Sequence, residues 1–141
     1  MKVMFVCSGN TCRSPMAEVI FRDMVSDVEV CSAGISAVSG QRASDEAIEV
    51  CADHGLDLSK HFSSRISKSK ISKMDWVFTA TLQHKKDLKG LYPDLKIKTI
   101  KECAEGYDDL DISDPIGGTK ERYEACFLEI KEALEKIAEK M

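Results

Sequence analysis

The sequence predicts an α/β fold, a four-stranded parallel sheet covered by helices on both faces in three layers. Three observations carry this. Short apolar runs alternate along the chain with longer segments of helical periodicity, their boundaries are marked by Gly, Ser and Pro, and the last segment is an unmistakably amphipathic helix. Strands separated by helices rather than by tight hairpins run parallel, and a parallel sheet needs cover on both sides.

Lys2 to Val6 is the first apolar run, and Ser14-Pro15 then opens a segment with Ala17, Ile20, Phe21 and Met24 at helical spacing. Serine suits an N-cap and proline the first helical position. Val28 to Cys31 alternates as a second strand, and Ala33 to Arg42, with two glycines, reads as loop. Ser44 to His54 reads as a helix capped by Ser44 and closed by Gly55. Asp75 to Ala80 is a third strand, Leu82 to Lys89 a helix ended by Gly90, and Lys96 to Ile100 a fourth strand. Lys68, Lys70 and Lys73 mark a solvated helix face. Tyr123, Phe127, Ile130, Leu134, Ile137 and Met141 recur at steps of three and four, with Glu and Lys opposite.

The 141 residues fit one domain, residues 1–141, large enough to bury a core without staples. No apolar run approaches the roughly 20 residues of a membrane span, and the short run before Cys7 leads into a polar glycine turn. Six cysteines scattered among periodic segments do not frame disulfides, so a reducing, cytoplasmic setting is expected. The net charge is −4 and no Lys/Arg stripe is interleaved with aromatics, which argues against a nucleic-acid partner. An anionic ligand must be attracted locally.

Ligands of open parallel sheets bind beyond the carboxyl ends of the strands, so the first turn is the place to look. There the chain reads Cys7-Ser8-Gly9-Asn10-Thr11-Cys12-Arg13-Ser14. Gly9 and Asn10 tolerate positive φ, so a loop of this length can turn successive amides inward as an anion cradle. The following helix N-terminus adds partial positive charge, and Arg13 a planar two-pronged donor for phosphate oxygens. The same field favours a thiolate, which makes Cys7 the expected nucleophile. Zinc is a poor reading of Cys7 and Cys12, because no second Cys/His pair follows at ligand spacing. The Gly-Lys-Ser/Thr end of a nucleotide-binding loop is missing too, so the cradle fits a bare phosphoryl group.

The run Val6 to Glu18, VCSGNTCRSPMAE, resembles the signature of the low-molecular-weight protein tyrosine phosphatases, and the resemblance covers nearly the whole chain. It implies the phosphotyrosine phosphatase I-like fold and a phosphatase acting on phosphorylated protein side chains, as a monomer without metal or cofactor. It assigns Cys7 as nucleophile and Arg13 as phosphate ligand, with Ser8, Gly9, Asn10, Thr11, Cys12 and Ser14 completing the cradle. Asp114, in the Asp114-Pro115 dipeptide before the last helix, is the implied general acid. Ser14 is expected to donate to the sulfur, while Asn10 with Ser32 and His61 supports the loop. Cys12 is the implied partner for a reversible disulfide with Cys7.

Two positions depart from the tyrosine-directed pattern. Thr11 stands where an aliphatic residue is usual, and Ile116 where many members carry an aromatic. Thr11 resembles the protein arginine phosphatase branch, as do His61 to Ile66 and Gln83-His84-Lys85, so phosphoarginine is the expected substrate and phosphotyrosine the alternative. Thioredoxin-linked arsenate reductases share the loop, but they need two further closely spaced cysteines, and this chain has none between Cys51 and Cys103. A phosphate-binding module without turnover would have no use for Asp114.

Overall fold

A computed structural model describes residues 1–141. The strands are β1 (Lys2–Cys7), β2 (Glu29–Gly34), β3 (Trp76–Thr79) and β4 (Ile97–Thr99). The helices are α1 (Arg13–Met24), α2 (Asp45–Asp53), α3 (Lys68–Ile71), α4 (Leu82–Leu91), α5 (Ile100–Ala104) and α6 (Lys120–Glu139). The strands lie in the order β2-β1-β3-β4, all parallel. The expected three-layer α/β architecture is therefore what forms.

β1 occupies an inner position, and its alternation divides the core. Val3, Phe5 and Cys7 face one side, Met4 and Val6 the other, and all are essentially buried. The first face packs the larger core, where Phe5 meets the Phe21 ring edge-on at 5.6 Å and α6 lies against α1, α2 and α5. The second face is covered by Ile71 of α3 and Leu88 of α4.

Several boundaries differ from the expectations, each for a physical reason. β2 continues through Ser32, Ala33 and Gly34, because β1 offers ladder partners as far as Cys7. Helix α1 starts at Arg13 with Cys12 in the cap position, so Ser14 lies inside the first turn and its hydroxyl is free for other work. Pro15 also falls in that first turn, where no intrahelical N–H is needed. Ser44 precedes α2 as expected but its side chain makes no cap bond, whereas Gly55 closes the helix with φ of 78°. Gly90 does not end α4, which runs on to Leu91. The fourth strand stops at Thr99, because Thr99 and Glu102 form a capping box that starts α5 at Ile100. The lysine run supplies a single helical turn with Ile71 buried beneath it, and Met141 is exposed beyond the end of α6.

α6 buries Tyr123, Cys126, Phe127, Ile130, Ala133, Leu134 and Ile137. Leu134 is fully enclosed, and Leu134→Ala should cost about 2–5 kcal/mol, read as a lower urea midpoint at unchanged m-value.

Candidate active site

All four strands end at the same edge of the sheet, so the segments that follow Cys7, Gly34, Thr79 and Thr99 start there. Between β1 and α1 the chain curls tightly. The amide N–H groups from Ser8 through Ser14 donate to no oxygen of the protein, main chain or side chain. Most backbone donors in a fold find partners, so a run of idle ones marks an anion cradle. Arg13 is 6% exposed and its Nε has no partner. Its Nη1 donates to the Ile112 carbonyl at 3.0 Å, and its Nη2 lies 3.6 Å from Asp114 Oδ2.

The curl is held open by Asn10, which is fully buried with φ of 57°. Its Oδ1 accepts from Ser64 N at 2.9 Å, and its Nδ2 donates to Ser14 Oγ at 2.8 Å and to Ser32 Oγ at 3.0 Å. Ser32 in turn donates to Glu18 Oε1 at 2.6 Å, and Arg22 holds Glu18 from the next turn of α1. His61 Nε2 donates to the Asn10 carbonyl at 2.9 Å. Ser14 Oγ, receiving from Asn10, lies 2.9 Å from Cys7 Sγ and has its own hydrogen to offer the sulfur.

The structure thus brings Cys7, Asn10, Arg13, Ser14, Ser32, His61 and Asp114 together around one loop. Ser8 and Gly9 form its open side, Thr11 is half-buried and offers its carbonyl to Ser44 N, and Cys12 lies beneath. Burial, followed by the nearby Cys7, pushes the Cys12 thiol up to about 12. Cys12 is therefore a neutral thiol at neutral pH.

Asp114 is about half exposed and receives a hydrogen bond from Ile116 N at 3.0 Å. The segment before it is clamped. Lys101, itself buried, donates to the Asp111 carbonyl at 2.9 Å and lies 3.5 Å from Glu129, which accepts from Ser113 N at 2.9 Å. These two residues, Glu18, Ser64 N, the Ile112 carbonyl and His84 beside Ser8 were not singled out by the sequence as parts of the site. Of these, Glu18, Ser64 and His84 lie within the stretches of family likeness, which mark them by resemblance rather than by position in the site.

The model of the family "Low molecular weight phosphotyrosine protein phosphatase" matches residues 2–141. The chain belongs to that family. Like other low molecular weight phosphatases it is a cysteine-dependent hydrolase, and its relatives divide by substrate name. A protein-arginine-phosphatase of Geobacillus stearothermophilus is 38% identical, over 99% of this chain and 95% of that protein. The crystal structure of a low molecular weight protein tyrosine phosphatase from T. tengcongensis superposes with a TM-score of 0.93 at 39% identity, covering 100% and 99% of the two chains. A YwlE arginine phosphatase variant with a phosphorylated active-site serine superposes with a TM-score of 0.94 at 33% identity, covering 99% and 95%. No helix of the chain is long and apolar enough to cross a membrane.

Gly34 is where β2 passes under the loop. A Cβ there would lie 2.5 Å from the Ser8 carbonyl oxygen and 2.8 Å from Ala37 Cβ. Gly34→Ala should therefore displace the loop, costing about 1–3 kcal/mol and weakening inorganic phosphate binding, both measurable by thermal unfolding with and without phosphate.

Proposed function

We propose that this phosphatase hydrolyses phosphoarginine in proteins through a phosphocysteine on Cys7. The observation that carries the chemistry is the run of unpaired amides from Ser8 to Ser14 curled beside a sulfur and a buried guanidinium. Cys7 Sγ attacks phosphorus in line, forming an S–P bond as the P–N bond to the substrate guanidino group breaks. The cradle amides and Arg13 stabilise charge on the three equatorial oxygens. Asp114, on the exposed side of Arg13, gives its proton to the departing nitrogen. The resulting carboxylate then takes a proton from water as that water attacks phosphorus, the S–P bond breaks, and inorganic phosphate leaves. Ser14 steadies the sulfur as an anion, before attack and again as the second leaving group.

The choice of arginine over tyrosine rests on Thr11, whose hydroxyl replaces an aliphatic contact for a phenyl ring, and on Ile116, which is 59% exposed and offers no aromatic wall. The kinship with a protein-arginine-phosphatase supports it.

Turnover of phosphoarginine and phosphotyrosine peptides should favour phosphoarginine, and Thr11→Ile should narrow or reverse that ratio. A wild type that prefers phosphotyrosine and is indifferent to Thr11→Ile would sink the arginine assignment. For the chemical step, Cys7→Ser should abolish turnover while keeping phosphate affinity. Asp114→Asn should slow hydrolysis of substrates with poor leaving groups by about two to four orders of magnitude, measured as kcat.

A further inference from the structure

His84 is a buried histidine that the mechanism above leaves unused. It is 7% exposed, in the first turn of α4, and its Nε2 lies 2.8 Å from Ser8 Oγ across 76 residues of sequence. Its Nδ1 is buried and has no partner. The residue is rigidly mounted. Its main-chain N–H donates to the capping Thr81 Oγ1 at 3.1 Å, and Asp111 Oδ1 accepts from Leu82 N at 2.8 Å.

The unpaired Nδ1 decides which nitrogen carries the proton. A buried N–H without an acceptor is rarer than a buried lone pair without a donor, so the neutral ring carries its hydrogen on Nε2. Nε2–H then donates to Ser8 Oγ. With that oxygen receiving from the ring, the hydroxyl hydrogen of Ser8 must point elsewhere, and Ser8 is exposed on the open side of the cradle. Burial first, then the nearby Arg13 charge, holds the imidazole below its usual titration range, against the opposing pull of Asp87, Asp111 and Asp114.

We propose that His84 is a positioning residue of the phosphate loop: by donating to Ser8 Oγ it fixes the residue next to the nucleophile and turns the Ser8 hydroxyl hydrogen toward the incoming phosphoryl group. This rests on the loop being a phosphate cradle, and is independent of the choice between arginine and tyrosine.

The test measures hydrolysis of para-nitrophenyl phosphate and competitive inhibition by inorganic phosphate in five proteins: wild type, His84→Leu, Ser8→Ala, the double variant and His84→Gln. Each of His84→Leu and Ser8→Ala should lower kcat/KM by about tenfold and weaken phosphate inhibition. The double variant should be no worse than Ser8→Ala alone, because without the Ser8 hydroxyl His84 has nothing left to position. His84→Gln, which returns an amide donor near the position of Nε2, should recover activity to within about threefold of wild type. Wild-type activity in His84→Leu, or a double variant whose loss is the product of the two single losses, overturns the proposal. Should His84→Leu fail to fold, the exposed Ser8 tests the same bond without touching the core, and full activity in Ser8→Ala is equally fatal. A wild type that neither turns over nor binds phosphate removes the phosphatase reading itself, whereas an active wild type indifferent to these changes removes only the role of His84.

Discussion

The site depends on one residue held in a conformation it would not choose. Asn10 sits in the left-handed region, where an L-residue pays about 1–2 kcal/mol. That twist turns the chain so that neighbouring amides face a common point instead of continuing the strand. The cost is offset because both side-chain atoms of Asn10 are used, its Oδ1 by Ser64 N and its Nδ2 by Ser14 and Ser32, while His61 takes its carbonyl. Glycine would allow the twist but could not make these bonds. Asparagine does both, and so the loop's own bonds fix its curl, which leaves the proposed cradle little reorganisation for the moment of reaction.

The same bonds tie the loop to three separate parts of the chain. Ser14 belongs to α1, Ser32 to β2, and His61 and Ser64 to the segment after α2. On the opposite side, Arg13 is anchored by the Ile112 carbonyl, in a segment braced by Lys101 and Glu129. The Asp114 carboxyl and the guanidinium it faces are thereby referred to a common rigid support. A loop fixed from all sides by the sheet edge behaves as part of the core, although it lies at the surface where substrate must reach it.

How much of this the sequence discloses depends on distance along the chain. The sheet and main helices are legible because apolar periodicity is a local property, and the cradle is legible because Cys7, Asn10, Arg13 and Ser14 are contiguous. Ser14 shows the limit of local reading. Ser-Pro is good cap chemistry, yet the hydroxyl is taken by Asn10 and Cys7 and the cap position passes to Cys12. Helix α5 escapes periodicity because five residues hold no repeat, though Thr99 and Glu102 carry the capping-box spacing. Ser64 N and the Ile112 carbonyl are main-chain groups, which any residue supplies, so no letter of the sequence marks them. Ser32 and His61 come into view only through family resemblance, since nothing local connects them to a loop more than twenty residues away.

The acidic balance of the chain sharpens what the cradle must do. With a net charge of −4, long-range attraction to a doubly charged phosphoryl group is absent. At physiological salt the Debye length is about 8 Å, so even a modest repulsion is screened before contact. In the proposed cradle, recognition therefore begins only when the phosphoryl group is within hydrogen-bonding range of the amides and Arg13, where the dielectric is low and the directions are fixed. The directions of the donors, and so where the oxygens of an anion can sit, depend on the twist at Asn10. An acidic surface costs such a site little in affinity, and it discourages the diffuse polyanion binding to which a basic phosphatase would be exposed.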